Sequence, residues 1–135
     1  MGKNVIVDAG FLIALLGRRD LHHAWAVAQA PRYAPPWKSC EAVLSEAFHL
    51  LGVGGLAALC ELLRRRKLVV DLELDKNLEP VLALMQKYSN VPMSLADACL
   101  VRMTETYADP VLLTTDTDFH IYRRHRRQVI PCVLP

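Results

Sequence analysis

Short β-branched runs alternate along the chain with longer stretches of helical spacing. Asn4–Val7 is continuous and apolar, which is typical of a strand covered on both faces. Apolar residues then recur at i, i+3, i+4 and i+7, as in Leu56, Leu59, Cys60 and Leu63, which indicates one buried helical stripe. The same reasoning predicts further strands at 68–70, 111–113 and 129–130, an extended piece at 32–34, and helices at 11–16, 22–29, 39–51, 56–67, 78–85 and 96–107.

Local signals predict where several of these helices begin and end. Asp20 and Ser39 have the side chains of helix N-caps for the second and third helices. The glycine-rich segment 52–55 predicts a break between the third and fourth helices. Pro80 is compatible with a helix because it falls in the first turn.

Strands separated by helices of about a dozen residues imply right-handed crossovers. The predicted fold class is therefore α/β, with helices around a mostly parallel central sheet. A length of 135 residues is that of one ordinary domain, so we treat 1–135 as a single unit.

Composition excludes several classes of protein. With 53% hydrophobic and 22% charged residues the chain is globular rather than disordered. The net charge of +2 does not by itself indicate a nucleic-acid partner. The longest apolar run, Phe11–Leu16, is too short to cross a bilayer, and Asp8 interrupts any signal-peptide pattern. No membrane association is expected.

The four cysteines are widely spaced and form no CxxC pair. This pattern argues against a zinc site and against a thioredoxin-type redox motif. Cys60 and Cys99 fall within apolar helical patterns, so we interpret them as core thiols of a cytoplasmic protein.

Three acids follow predicted strands. Asp8 comes directly after the first strand, and Asp116 and Asp118 follow the strand at 111–113. Ligands of open parallel sheets bind beyond the carboxyl ends of the strands, so these acids are candidate site residues. Each also has an ordinary explanation, since Asp8 can cap a helix and the other two suit a turn.

Two further acids lie within predicted helices. Glu46 is surrounded by apolar residues, so we expect its carboxylate to be drawn toward the interior, where it needs a cation or hydrogen-bond donors. An ion pair at the edge of the helix would also explain it. Asp97 stands three residues after Ser94, which is the spacing of a capping box, although it also begins an apolar face shared with Val101.

Taken together, these acids predict a metal site. Two clustered carboxylates 4 Å apart repel by about 4 kcal/mol at an effective dielectric constant of 20, and a divalent cation removes that cost. Ligands that are all oxygen atoms favour Mg²⁺ or Mn²⁺ over zinc.

The same residues, in the same order, resemble a known family. The chain is similar to the PIN-domain ribonucleases, in particular the VapC-type toxins of toxin–antitoxin pairs, and the similarity runs nearly from end to end. It is carried by Val5-Ile-Val-Asp8 with the apolar run after it, Ser45-Glu46, Ser94-Leu-Ala-Asp97-Ala98 and Leu113-Thr-Thr-Asp116-Thr-Asp118-Phe119.

The resemblance implies an α/β/α sandwich and a Mg²⁺- or Mn²⁺-dependent endoribonuclease. It assigns Asp8 and Asp97 as metal ligands and Glu46 and Asp116 as the other two members of an acidic quartet. Thr114 matches a hydroxyl of the family and Asp118 a frequent extra carboxylate. The resemblance also implies a homodimer and a small antitoxin that covers the site.

The chain departs from the family pattern at one position. Ala9 follows the first aspartate, where the family often has serine or threonine. A non-catalytic PIN-like module that binds RNA or a protein is therefore the alternative. A phospho-receiver domain is disfavoured, because the last predicted strand is not followed by the lysine that receivers need.

RNA binding requires cations, and two basic clusters are present. One is 64–67, which more simply reads as the solvated end of a helix. For the other, 123–127, a solvated surface and a phosphate-binding surface are equally plausible. Its candidate nucleic-acid-binding residues are Arg123, Arg124, Arg126 and Arg127.

Overall fold

A computed structural model describes residues 2–135. It contains seven strands and five α-helices. The strands are β1 (Asn4–Val7), β2 (Trp37–Ser39), β3 (Leu68–Val70), β4 (Pro110–Leu113), β5 (Arg123–Arg124), β6 (Gln128–Val129) and β7 (Cys132–Val133). The helices are α1 (Ala9–Leu16), α2 (His23–Gln29), α3 (Glu41–Arg64), α4 (Leu78–Lys87) and α5 (Leu95–Thr106), with short 3₁₀ segments at Ala30–Arg32, Leu74–Asn77 and Thr117–His120.

Five parallel strands form the central sheet in the order β3-β2-β1-β4-β7. β1 lies in the middle and pairs with β4 in the register Val7 to Leu113. β5 and β6 form a separate antiparallel hairpin. The predicted α/β class with a mostly parallel sheet is confirmed.

Helices cover the sheet in two groups, since α1 packs against α2 and α3 while α4 packs against α5. The apolar strand residues between them are fully buried, as in Ile6 and Leu112. This burial explains why β1 and β4 are continuous apolar runs rather than alternating ones. Leu100 and Met103 of α5 join the same core.

Two strand predictions are wrong. The proline-rich segment predicted an extended piece at 32–34, but the strand is β2, which begins after Pro36 because prolines cannot donate to the sheet. The predicted strand at 129–130 contributes only Val129 to the outer hairpin, and the sheet instead takes β7 after Pro131.

Two predicted caps are also corrected. Ser39 ends β2, where its hydroxyl donates to the carbonyl of Val7 at 2.8 Å, and Cys40 is the N-cap residue of α3. His22 precedes α2, although Asp20 does accept from its amide at 2.9 Å. Both side chains therefore bond the backbone near the expected helix starts without being the N-cap residue.

The predicted break at 52–55 is present within α3 as a kink at Gly52, whose backbone angles are non-helical, at φ 67° and ψ −164°. A positive φ is readily adopted only by glycine, so this residue permits the kink. α3 is also the one helix within residues 2–135 that is long and apolar enough to cross a membrane by length and composition alone. It was not identified as such from the sequence, because only uninterrupted apolar runs were considered. Val43, Ala47 and Leu59 of α3 nevertheless lie in the core of the fold.

Candidate active site

The sheet topology brings the predicted acids to one edge. β1 and β4 are parallel neighbours, so Asp8 and Asp116 both follow strand ends at the carboxyl edge. Glu46 is in the second turn of α3, which leaves the same edge after β2. Asp97 is in the first turn of α5, the helix that returns to the start of β4.

Asp8 is held firmly where β1 ends. Its amide donates to the carbonyl of Leu113 at 3.0 Å, which extends the β1–β4 pairing by one residue. Its side chain is the N-cap of α1, with Oδ1 accepting from the amide of Ala9 at 2.7 Å. Oδ2 accepts from the hydroxyl of Thr114 at 2.8 Å. The capping explanation is confirmed, and it leaves the carboxylate fixed at the sheet edge.

Thr114 connects the ends of the two strands. Besides donating to Asp8, its buried Oγ1 accepts from the amide of Asp116 at 3.0 Å. Asp116 Oδ1 in turn accepts from the amide of Asp118 at 2.8 Å and caps the 3₁₀ segment. The turn explanation for these acids is thus confirmed, and it orients Asp116 toward the same edge as Asp8.

Asp97 closes the first turn of α5 through the predicted capping box. Its Oδ2 accepts from the amide of Ser94 at 3.2 Å, and the Ser94 hydroxyl accepts from the amide of Asp97 at 3.0 Å. The same Oδ2 lies 3.3 Å from the hydroxyl of Tyr122, which donates to it.

Tyr122 is fully buried and packs edge-on against Phe119 and Tyr88. Burial, together with the charge of Asp97, raises the pKa of its phenol, so it remains a donor. Nothing in the sequence indicated the hydrogen bond between Tyr122 and Asp97.

The prediction that Glu46 is drawn into the interior is wrong. Its side chain is exposed, and the buried face of α3 is formed by Val43 and Ala47 instead. The prediction assumed that the apolar neighbours of Glu46 are buried, but several of them, including Leu50, are exposed to solvent. Glu46 still lies close enough for its charge to raise the pKa of Asp8.

Electrostatic coupling shows that the acids share one neighbourhood. Burial, with smaller contributions from the charges of Asp97 and Glu46, raises the pKa of Asp8 to about 6, against the hydrogen bonds from Thr114 and Ala9. Burial likewise raises the pKa of Asp97, and the charge of Asp116 adds to that effect. The four acids therefore repel one another within a partly buried site.

Comparison with known protein families agrees with this arrangement. The family model of the PIN domain matches residues 5–124, which is most of the chain. The chain belongs to the PIN-domain family. No curated protein matches it. Among solved structures, this PIN domain is similar to Mycobacterium tuberculosis VapC20, described as a Sarcin-Ricin loop cleaving toxin, with a TM-score of 0.74 and 20% identity over 84% of this chain and 91% of that one.

The donor set of this PIN domain fits a hard divalent cation. Asp8, Asp97, Asp116 and Glu46 present only carboxylate oxygens, which Mg²⁺ and Mn²⁺ prefer. Across residues 2–135, however, no three acidic, histidine or cysteine side chains are close enough together to form a ready metal-binding group.

The two residues after Asp8, Ala9 and Gly10, are both closely packed. A Cβ on Gly10 would lie 2.1 Å from Oγ1 of Thr115, so glycine is what allows the Thr115 side chain to approach the start of α1. Ala9 is itself 1% exposed, and a larger side chain there would have to enter the core.

Two predicted RNA-binding arginines are already engaged. Arg123 Nη1 donates to the carbonyl of His120 at 2.6 Å, and Arg124 Nε donates to the carbonyl of Thr104 at 3.0 Å. Both are half-buried, whereas Arg126 and Arg127 are exposed. The 64–67 cluster precedes β3 and therefore lies at the amino edge of the sheet, opposite the acids.

The raised pKa of Asp8 makes metal-free stability depend on pH. The folded pKa of about 6 exceeds the ordinary value of 3.8, so the folded protein binds this proton more tightly. Its contribution to stability is full below pH 3.8 and is lost as the pH rises through 6. We therefore expect Asp8→Asn, which retains a capping side chain, to stabilise the metal-free protein at pH 7.5 by up to about 3 kcal/mol.

Urea denaturation in EDTA at pH 4.0 and 7.5 measures this effect. The stability difference between variant and wild type should grow between the two pH values. An equal stability difference at the two pH values would show that folding does not raise the pKa of Asp8.

Proposed function

We propose that this PIN domain is a Mg²⁺- or Mn²⁺-dependent endoribonuclease that hydrolyses RNA phosphodiester bonds. The observation that carries the proposal is the gathering of four acids, distant in sequence, at the carboxyl edge of the sheet. The pKa values of Asp8 and Asp97 are raised by burial and, to a smaller extent, by the charges of Glu46 and Asp116, which is the electrostatic environment that a bound cation would relieve. Membership of the PIN family supports the same chemistry.

In this proposal Asp8 and Asp97 hold the cation, and Asp116 and Glu46 hold a second ion or orient the attacking water. A bound cation stabilises the negative charge that develops on the phosphate and activates the water. The surrounding residues position the ligands. Thr114 fixes one oxygen of Asp8, and Tyr122 and Ser94 both donate to the same oxygen of Asp97.

Among the described hydrogen bonds, Oδ1 of Asp97 and Oδ2 of Asp116 receive no protein donor. These two oxygens can turn to a cation or a water without breaking the local structure. Each oxygen of Asp8 already accepts one hydrogen bond, so Asp8 would bind the cation through a remaining lone pair. Asp118 lies beside Asp116 and is held through its own amide, so its carboxylate can contact water or substrate.

We further propose that the chain acts as the toxin of a toxin–antitoxin pair in the cytoplasm, as a homodimer that a small antitoxin inhibits. The similarity in fold to VapC20 supports the toxin role. Exposed apolar side chains on α3, namely Leu50, Val53 and Leu56, support a protein partner. The four cysteines are free, which agrees with a reducing compartment.

A non-catalytic module that binds RNA or a protein is the second candidate. It is favoured by Ala9, which brings no hydroxyl next to Asp8, and by the open arrangement of the acids across residues 2–135. Such a module would bind RNA without cutting it.

Cleavage of a labelled single-stranded RNA in Mg²⁺, Mn²⁺ or EDTA separates the two candidates. We expect the wild type to cut only with a cation and Asp97→Asn to lose at least about 100-fold in rate, or about 2.7 kcal/mol of transition-state stabilisation. Asp109→Asn is the matched control, because Asp109 is exposed and pairs with Lys3 at 3.0 Å. RNA binding without metal-dependent cleavage in the wild type would favour the binding module.

A further inference from the structure

A cationic pocket lies beside the site, between α4, α5 and the β5–β6 hairpin. It has a volume of about 390 Å³ and is lined by Lys87 of α4, Arg102 and Glu105 of α5, and His125 and Arg126 of the hairpin turn. Three cations thus face a single carboxylate. Neither Lys87 nor Arg102 belongs to the basic clusters that the sequence displays, because they are separated along the chain and meet only in the fold.

The one carboxylate of the pocket, that of Glu105, already accepts hydrogen bonds from the protein. Glu105 Oε1 accepts from Arg102 at 3.5 Å, and Oε2 accepts from the backbone amide of His125 at 2.8 Å. Only 12% of the Glu105 side chain is exposed. Its charge is therefore balanced by Arg102, and Lys87 and Arg126 remain as the cations that an incoming anion would meet.

Lys87 and Arg126 are brought together by a direct contact. Lys87 Nζ donates to the carbonyl of Arg126 at 3.1 Å, so the ammonium group is held at the mouth of the hairpin turn. Both residues are exposed. Arg102 is fixed from the other side, since its Nε donates to Oδ1 of Asn77 at 2.9 Å. Lys87 and Arg102 are thus held in place before any ligand arrives, which lowers the entropy cost of binding.

The pocket is linked to the acids by α5 and by the hairpin. Arg102 and Glu105 follow Asp97 by five and eight residues, which is about 7–12 Å along a helix rising 1.5 Å per residue. The hairpin begins directly after Tyr122, whose hydroxyl donates to Asp97.

We propose that this pocket binds a backbone phosphate of the single-stranded RNA substrate, away from the bond that is cut, with Lys87 and Arg126 as the contacting side chains. The inference rests on the proposed ribonuclease activity for its substrate. Arg123 and Arg124 are less suited to this role, because their half-buried guanidinium groups are turned to backbone carbonyls. The exposed ammonium group of Lys87 makes one such bond and keeps two N–H donors. A phosphate oxygen would receive charge-assisted hydrogen bonds from both side chains.

The test is the salt dependence of RNA affinity. Fluorescence anisotropy with a labelled 12-nucleotide RNA in EDTA measures binding without cleavage. The double variant Lys87→Gln/Arg126→Gln loses the contact to one phosphate, so the slope of log K against log[salt] should fall in magnitude by about 0.7. Arg64→Gln/Arg65→Gln removes the same charge from the amino edge of the sheet and should leave the slope unchanged.

Cleavage kinetics then distinguish this inference from the proposed activity. With Mn²⁺ present, Lys87→Gln/Arg126→Gln should raise KM about 10-fold and leave kcat within twofold, because these contacts are the same in the ground and transition states. If the wild type binds RNA and the double variant shows the expected change in slope, but the wild type does not cleave, the ribonuclease proposal fails and the phosphate pocket stands. An unchanged slope, an equal change in the control, or no RNA binding by the wild type would overturn the pocket.

Discussion

Asp8→Asn should reduce RNA cleavage by about 1,000-fold while leaving the protein folded. Asparagine preserves the shape of the side chain and its acceptor for the amide of Ala9, but it removes the charge that holds a cation. A 1,000-fold loss corresponds to about 4 kcal/mol of transition-state stabilisation. The measurement is the initial cleavage rate at saturating RNA, with Mn²⁺ affinity followed by calorimetry on the same preparation.

The stability expected for this variant makes the experiment decisive. Removing a buried carboxylate whose pKa is about 6 should make the metal-free protein more stable at neutral pH, so lost activity cannot be attributed to unfolding. Asp75→Asn, at an exposed position in the segment before α4, is the charge-matched control and should retain full activity. Full activity of Asp8→Asn would remove Asp8 from the site.

Thr114→Val should destabilise the protein by about 2–4 kcal/mol and slow cleavage by about 10- to 100-fold. Valine has nearly the shape of threonine, so packing in the core is preserved. It can neither donate to Asp8 nor accept from the amide of Asp116, which leaves two polar groups of the site without their partner. Losing the donor also raises the pKa of Asp8 further, since the Thr114 bond lowers it.

Thr114→Ser separates the hydroxyl from the methyl group. It retains both hydrogen bonds and loses only a buried methyl, so its activity should stay within about threefold of wild type while its stability falls by about 1 kcal/mol. Stability follows from chemical denaturation and rate from the cleavage assay. Equal activity losses for the serine and valine variants would show that packing, rather than the hydroxyl, is what the site needs at this position.

The order of elements was predictable wherever one local signal decided the conformation. β1 and β4 are buried on both faces, so their apolar runs appear directly in the sequence. β2 was missed because only three residues form it, and Lys38 interrupts the apolar pattern. The side chain of Lys38 donates to Asn4 Oδ1 at 2.7 Å, and this tertiary contact cannot be predicted from the local sequence.

The residues of the candidate site were likewise predictable only where a local sequence signal was present. Asp8 and Asp97 carry local signals, a strand end and a capping box, and the fold preserves both. The burial of Glu46 was predicted wrongly, because apolar neighbours indicate an interior only if the helix buries all of them, and α3 leaves part of that face exposed. Tyr122 could not be assigned from sequence, since its bond to Asp97 joins residues 25 positions apart.

The capping box of α5 has a consequence for how the protein responds to ions. The Asp97 carboxylate, which caps the first turn of α5, is also one that the proposed chemistry requires. Ser94, Tyr122 and any cation would therefore all contact this one side chain. An ion that approaches through Oδ1 of Asp97 leaves the first helical turn wound, whereas one that takes Oδ2 competes with the Ser94 amide and loosens it. If the proposed cation binds, the oxygen of Asp97 that it contacts would determine how tightly the beginning of this helix is ordered.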